Sequence, residues 1–369
     1  MTRKVLVVTP DFPPAKGGIQ LLCHRVVSSF RELEPIVVTV GHQGAAAFDR
    51  DQEFRVVRTP AISSQRALRM MALNAETVRL ALREKPDVVL STHIIASPAA
   101  AFLRKQLALP VAQYVYAKEM GARPQLARFA LTRCDRVLAI SGYARDLALA
   151  AGANPARVSL ISPAVDLPAR PALPKRDRQG PPTLLTISRL EDRYKGHDVV
   201  LRAMPLIRAK VPDIRWHVIG EGPLRSMLED RAQTAGLADT VRFLGAVSDE
   251  ERDRELARAD VFCMVSRLPA GGFAGEGFGI VYLEANAHGV PVVAGAVGGA
   301  VDAVDDGKSG LLVDPEDHVA VADAIVKLLS DDELAARLAV EGRAWAERFS
   351  WQTAGDLVEA ELLELANAR

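Results

Sequence analysis

Short, unbroken aliphatic runs alternate with longer helix-patterned stretches through both halves of the chain, and this alternation limits the fold more than any other feature. Strands are predicted at residues 5–9, 36–40, 54–58, 88–91, 111–116, 137–140 and 158–161, and again at 183–188, 215–219, 241–244, 261–264, 292–294 and 310–313. Helical stretches between them include residues 21–33, 65–84 and 125–132. A strand that reads as a continuous apolar run is buried on both faces, which in an α/β alternation means parallel sheets covered by helices. The rhythm breaks once, at Pro163, Pro168, Pro171, Pro174, Pro181 and Pro182, a composition that reads as a linker. The expected organisation is an N-terminal domain over 1–168, a linker over 169–182 and a C-terminal domain over 183–350. A terminal helix over 351–369 is expected to cross back to the first domain, with Ser350 as its N-cap. Both domains are expected to be Rossmann-like, their sheets facing a central cleft.

The length of 369 residues suits two domains, each able to bury its own core. The net charge of zero conceals a division: residues 1–168 hold 22 Lys and Arg against 13 Asp and Glu, and the remainder holds 24 against 33. A neutral chain of this kind is not expected to bind nucleic acid. Cys23, Cys134 and Cys263 lie too far apart in sequence to form a disulfide framework or a zinc site by themselves, which suits a reducing compartment. After Met1-Thr2-Arg3-Lys4 only four apolar residues precede Thr9 and Pro10, too few for a signal-peptide core. The longest uncharged run, residues 285–301, is broken by Gly289, Pro291, Gly295, Gly298 and Gly299, so no transmembrane helix is predicted. The expected location is the cytoplasm, with peripheral contact at the inner face of the membrane through the basic first domain.

Three segments carry chemistry. The first runs from Gly271 to Ala285, where Gly271, Gly272, Gly275, Gly277 and Gly279 lead into a helix starting near Ile280. A helix N-terminus reached through glycines offers backbone N–H groups to an anion. Glu276 and Glu284 are poor neighbours for a phosphate but good acceptors for sugar and ribose hydroxyls. By itself the segment reads equally well as a Gly-rich turn followed by a solvated helix carboxylate. In the second segment Arg189 directly follows a predicted strand and Lys195 lies six residues on, where two cations can neutralise a diphosphate or merely decorate a surface turn. The third connects the first strand to a helix near Ile19 through Gly17 and Gly18, with no G-x-G-x-x-G, which disfavours a dinucleotide oxidoreductase.

Taken in order, Gly17-Gly18, Arg189 with Lys195, and the E-x7-E pair Glu276 and Glu284 resemble the family 4 retaining glycosyltransferases of the GT-B fold. Weaker matches are Gly220 within residues 218–223, Leu244 within 243–245, and Gly298-Gly299. The stretch 276–285 looks most like that of the phosphatidylinositol mannoside mannosyltransferases and related bacterial enzymes. The resemblance implies that Arg189 and Lys195 hold the donor diphosphate and that Glu276 binds the transferred sugar. It places the backbone of Phe278, Gly279 and Ile280 by the sugar and phosphate, Glu284 on the ribose, and Gly220 and the loop after Leu244 by the base. Gly17 and Gly18 would meet the diphosphate from the other domain. No metal and no cofactor beyond the nucleotide sugar is expected.

One position departs from the family, which often carries His with Glu three residues later after the strand that here spans 111–115. Here Tyr116 stands in the His position and Glu119 is retained. Tyr116, Glu119 and His93 are therefore expected on the acceptor or sugar side, although His93 reads more readily as a structural histidine. Arg66, Arg69, Arg79, Arg83 and Lys85 flank an apolar stripe including Leu68, Met71, Leu73 and Leu80, as in a helix that lies on a bilayer or packs on a core. The expected activity is transfer of a hexose, first choice mannose from GDP-mannose, to a hydroxyl of a lipid-linked or glycan acceptor. The alternatives are a UDP-sugar transferase acting on a soluble small molecule, and a non-transferring protein of the same fold, either an epimerase or a binding protein.

Overall fold

The computed structural model describes residues 3–60, 65–168, 180–269 and 275–368. Residues 169–179 of the expected linker and Gly271 to Ala274 of the glycine-rich segment lie outside the described residues. The chain divides into two compact units, residues 1–164 with 350–369, and residues 165–349.

Among the described residues the first unit holds a seven-stranded sheet in the order β3-β2-β1-β4-β5-β6-β7. Its strands are β1 Arg3–Val8, β2 Leu33–Val40, β3 Arg55–Thr59, β4 Val88–Ser91, β5 Val111–Val115, β6 Arg136–Ala139 and β7 Val158–Leu160. The second unit holds six strands ordered β10-β9-β8-β11-β12-β13. These are β8 Thr183–Ile187, β9 Arg215–Ile219, β10 Val241–Gly245, β11 Val261–Met264, β12 Val292–Gly295 and β13 Gly310–Val313. All pairings are parallel. Each order reverses once, between β1 and β4 and between β8 and β11. In open parallel sheets, ligands bind beyond the carboxyl ends of the strands at such a reversal.

The aliphatic runs behave as two-sided burial requires. Val5, Leu6, Val7 and Val8 are wholly inaccessible, as are Val261, Phe262, Cys263 and Met264. In the second core the buried Trp216 donates its indole N–H to Thr186 Oγ1 at 2.9 Å, and that hydroxyl donates to the Cys263 carbonyl at 2.6 Å. Three strands are thereby joined by one satisfied polar chain.

Two sequence expectations need correction. The helical stretch 21–33 is a helix only over Gly18–Ser28, and Leu33 begins β2 in register with Arg3. Ser29 ends the helix, its hydroxyl donating to the Val26 carbonyl at 2.7 Å. Leu33 continues the apolar periodicity by coincidence, because strand burial needs an apolar residue there too. In the helix Arg66–Glu84 the single expected stripe is two faces: Leu73 and Leu80 are buried, whereas Leu68 and Met71 are exposed. Five residues turn a helix by about 140°, which separates Leu68 from Leu73.

The helix Trp351–Asn367 belongs to the first unit. Ser350 caps it by accepting from the Thr353 N–H at 3.1 Å. Its buried Glu359 carboxylate accepts from the backbone N–H groups of Arg31, Glu32 and Leu33 at 2.8–2.9 Å, closing the entry to β2. No helix among the described residues is long and apolar enough to cross a membrane.

Candidate active site

In the second unit the loop leaving β8 contains Ser188 and Arg189, then a short 3-10 turn Arg193–Lys195, then Gly196 and the helix His197–Lys210. Ser188 Oγ and His197 Nε2, 3.0 Å apart, close the loop on itself. Burial, followed by the nearby Lys195 charge, lowers the His197 pKa to about 4, so the ring is neutral near pH 7. The loop thereby presents two cations differently. Arg189 reaches into solvent, its side chain 65% exposed, and pairs with Glu191 at 3.2 Å. Lys195 turns inward, 15% exposed, and donates to Glu276 Oε2. Burial works against its charge, but the Glu276 carboxylate and then the Tyr194 phenol outweigh it, leaving the ammonium pKa above the ordinary lysine value. Ser266 Oγ, just beyond β11, donates to the same carboxylate oxygen at 3.4 Å.

Glu276 is held from behind through its backbone, because its carbonyl accepts from the Gly299 N–H at 2.8 Å. The helix Ile280–Ala287 then begins at Gly279, whose φ of +91° leaves no comfortable place for a side chain, and no side chain caps the first turn. Tyr282 fixes this helix under β11 by donating its hydroxyl to the Met264 carbonyl at 2.7 Å. Phe278 is buried 5.8 Å from the Phe349 ring, whereas Ile280 is half-buried. Glu284, one turn into the helix, is 12% exposed and lies 3.4 Å from Arg252 Nη1. Burial raises its pKa, and Arg252 opposes that rise.

The strands β8 and β9 meet the same edge through backbone. A Cβ on Gly220 would lie 1.8 Å from the Ser188 carbonyl oxygen, and its φ of +139° already favours glycine. The Gly220 N–H donates to the Gly245 carbonyl at 2.9 Å, which brings half-buried Leu244 to the same rim. Arg189, Lys195, Glu276, Phe278, Gly279 and Ile280 thus follow the two strands at the reversal of one sheet, Gly220 and Leu244 lie at the ends of the next two strands along the same carboxyl edge, and Glu284 is farther along the helix.

In the first unit Gly17 precedes the helix Gly18–Ser28 without a side-chain cap, and both glycines are exposed. Beyond β4 and β5, His93, Tyr116 and Glu119 come together. Glu119 accepts from the Tyr116 N–H at 3.2 Å and the Ile94 N–H at 3.3 Å, and its Oε2 lies 3.1 Å from His93 Nδ1. Burial raises the Glu119 pKa to about 8 and lowers that of His93 to about 4, the latter helped by Arg66 and Arg123. Tyr116 is buried, with its hydroxyl 3.9 Å from Cys23 Sγ. As it stands, this group ties the β4 and β5 loops together through buried hydrogen bonds.

Sequence reading did not find Ser266, Arg252, Tyr194 or Tyr282. Ser266 carried a signal, being the first polar residue after a buried strand that ends at the ligand-binding edge. Arg252 carried none, since it sits among eight charged residues of one solvated helix. Among the described residues, no three His, Cys, Asp or Glu side chains are placed to hold a metal ion.

Two family models match the chain, "Glycosyltransferase Family 4" over residues 16–168 and "Glycosyl transferases group 1" over residues 173–345. A GDP-mannose-dependent alpha-(1-6)-phosphatidylinositol monomannoside mannosyltransferase of Mycolicibacterium smegmatis is 35% identical, over 99% of this chain and 98% of that protein. A GDP-mannose-dependent monoacylated alpha-(1-6)-phosphatidylinositol monomannoside mannosyltransferase of Corynebacterium glutamicum is 33% identical over 96% of each chain. Among solved structures, Anabaena HepE in complex with UDP and glucose superposes with a TM-score of 0.81 at 21% identity, covering 98% of this chain and 99% of that one. A sucrose-phosphate synthase from Thermosynechococcus elongatus superposes with a TM-score of 0.83 at 20% identity over the whole of both chains. The last two similarities concern the fold.

Proposed function

We propose that this chain, which belongs to the family 4 and group 1 glycosyltransferases, moves mannose from GDP-mannose, with retention, to a hydroxyl of a phosphatidylinositol-mannoside-like lipid. The observation that carries the reading is the Lys195–Glu276 pair at the strand reversal of the second sheet, backed by full-length similarity to mannosyltransferases of that class. The second unit is the donor domain and the first the acceptor domain.

In this reading the donor's diphosphate takes Lys195 and Arg189 as counter-charges. The acidic field of the second domain makes these local cations necessary, because an anion approaching it otherwise meets repulsion. Glu276, released from Lys195, accepts from a hydroxyl of the transferred sugar. The bond from the anomeric carbon to the phosphate oxygen breaks while positive charge develops on the sugar ring. The leaving charge falls where the cations already stand, so stabilisation is greatest in the transition state. The acceptor oxygen attacks from the face the phosphate leaves, and its proton passes to a phosphate oxygen. Double displacement would need a carboxylate free to act as nucleophile. In this reading Glu276 is taken up by the sugar hydroxyl and by Ser266, and Glu284 lies against Arg252. No metal enters this scheme.

The lipid side of the reading is supported by the helix Arg66–Glu84, where exposed Leu68, Met71 and Leu82 stand among Arg66, Arg69 and Arg83. Apolar side chains amid cations suit an anionic membrane surface. A thermal-shift panel of GDP-, UDP- and ADP-sugars, followed by transfer to a phosphatidylinositol mannoside in liposomes, tests the proposal. Stabilisation by GDP-mannose with a mannosylated lipid product supports it. Selective stabilisation by a UDP-sugar, with transfer only to soluble acceptors, refutes it.

A further inference from the structure

Glu284 stands inside the second domain with its side chain 12% exposed, and four charged groups act on it. The helix Asp249–Arg258 contributes Asp249, Arg252 and Asp253, and the segment before the linker contributes Asp166. Three of the four are acids. Burial raises the Glu284 pKa, the three acids add to the rise, and the single guanidinium opposes it, favouring the carboxylate, the form that accepts hydrogen bonds from hydroxyls at both oxygens.

Arg252 is poorly placed to serve the fold. Its Nη1 lies 3.4 Å from Glu284 Oε1 and 4.0 Å from Asp249 Oδ1, and its Nη2 lies 3.7 Å from Asp253. Its Nε is buried with no hydrogen-bond partner in the protein. A guanidinium kept for stability would have its donors satisfied, and an orphaned donor is an uncompensated cost to the fold. What the position does achieve is to engage one oxygen of Glu284 and leave Oε2 as an acceptor.

We propose that Arg252 is a positioning residue of the nucleotide site, which by binding Oε1 of Glu284 presents Oε2 to a ribose hydroxyl and so makes the enzyme select ribonucleotides over deoxyribonucleotides. The inference rests on the reading of Glu284 as a donor contact. It differs from a merely structural role because it attaches to Arg252 a preference for one hydroxyl on the ligand.

The test is isothermal titration of the full chain with GDP, 2′-deoxy-GDP and 3′-deoxy-GDP. Wild type, Arg252→Ala, Arg252→Lys and Glu284→Gln are compared, with thermal melts to verify folding. Wild type should prefer GDP over one of the deoxy forms by about tenfold, the value of one hydrogen bond to a charged group. In Arg252→Ala, GDP should weaken to the affinity of that deoxy form, whose own binding stays within about twofold. GDP binding by this variant should also fall more steeply on acidification, since Glu284 loses the cation that opposes its protonation. Arg252→Lys should restore part of the preference, as a point charge without the planar fork. Full retention of the preference in a folded Arg252→Ala or Arg252→Lys, with GDP affinity unchanged, overturns the proposal. If Glu284→Gln keeps the preference, or wild type has none, the reading of Glu284 fails first and the proposal falls with it. Absence of binding by GDP, and likewise by UDP and ADP, overturns the donor-site reading and this proposal together.

Discussion

Replacing Lys195 by methionine removes the only cation bonded to Glu276 among the described residues, while that carboxylate stays 12% exposed. The Ser266 hydroxyl at 3.4 Å compensates little of this. Two unit charges about 4 Å apart attract by about 4 kcal/mol at an effective dielectric near 20. Breaking a buried pair from one side costs about 3–5 kcal/mol, because the remaining charge loses its partner but not its burial. Lys195→Met and Glu276→Gln should therefore each destabilise the second unit by about 3 kcal/mol. The double variant should cost roughly the same as either single change, giving a coupling near 3 kcal/mol. Urea unfolding followed by fluorescence reads this directly. Trp216 and Trp345 report on the second unit, and Trp351→Phe silences the first at low risk, because the Trp351 indole N–H is buried without a partner. With a slope of about 2 kcal/mol per molar urea, each single change should lower the midpoint by about 1.5 M. Additive effects, with the double variant shifted by twice that amount, would show that the two side chains do not depend on one another. The proposal that the donor phosphates displace Glu276 from Lys195 would then lose its basis.

Other consequences can be checked independently. Glu359→Ala removes the acceptor for three backbone N–H groups, so it should destabilise the first unit by about 3 kcal/mol and expose the last helix to protease trimming, with Glu359→Gln milder. His93 has a folded pKa of about 4 against an ordinary 6.5, so its neutral form is favoured by folding and that stability is lost as pH falls through 6.5 toward 4. The loss approaches about 3 kcal/mol, and His93→Gln should flatten the acid limb of a urea-midpoint profile, whereas parallel profiles would contradict the shift. Gly220→Ala places a methyl 1.8 Å from the Ser188 carbonyl and should abolish donor binding or folding in a thermal-shift assay, whereas Gly236→Ala, which meets no atom within 4 Å, should cost little beyond its backbone strain.

Much of the architecture was legible because a buried parallel strand must be continuously apolar. Residues 88–91, 215–219, 261–264 and 310–313 are strands at the predicted limits. The same rule explains the failure at 21–33, where Leu33 satisfies helix and strand periodicities alike. Apolar composition groups Leu68 and Met71 with Leu73 and Leu80, although the two pairs lie on different faces of the helix. Within the candidate site, glycines and residues at strand ends could be found locally, because backbone geometry leaves a trace in adjacent residues. The pairing of Lys195 with Glu276 spans 81 positions and that of Arg252 with Glu284 joins two different helices. No local pattern encodes which charge a fold will bring to which.

The central claim is that a sugar leaves a nucleoside diphosphate at Lys195 and Glu276 and arrives on an acceptor with its configuration kept. The direct measurement is the anomeric configuration of the lipid product, by NMR, from GDP-α-mannose and a phosphatidylinositol mannoside, in wild type and in a folded Glu276→Gln. The account predicts an α-linked product from wild type and a loss of turnover of at least about a hundredfold in the variant, roughly 2.7 kcal/mol of lost transition-state stabilisation. A β-linked product, or near wild-type turnover without the Glu276 carboxylate, would contradict it.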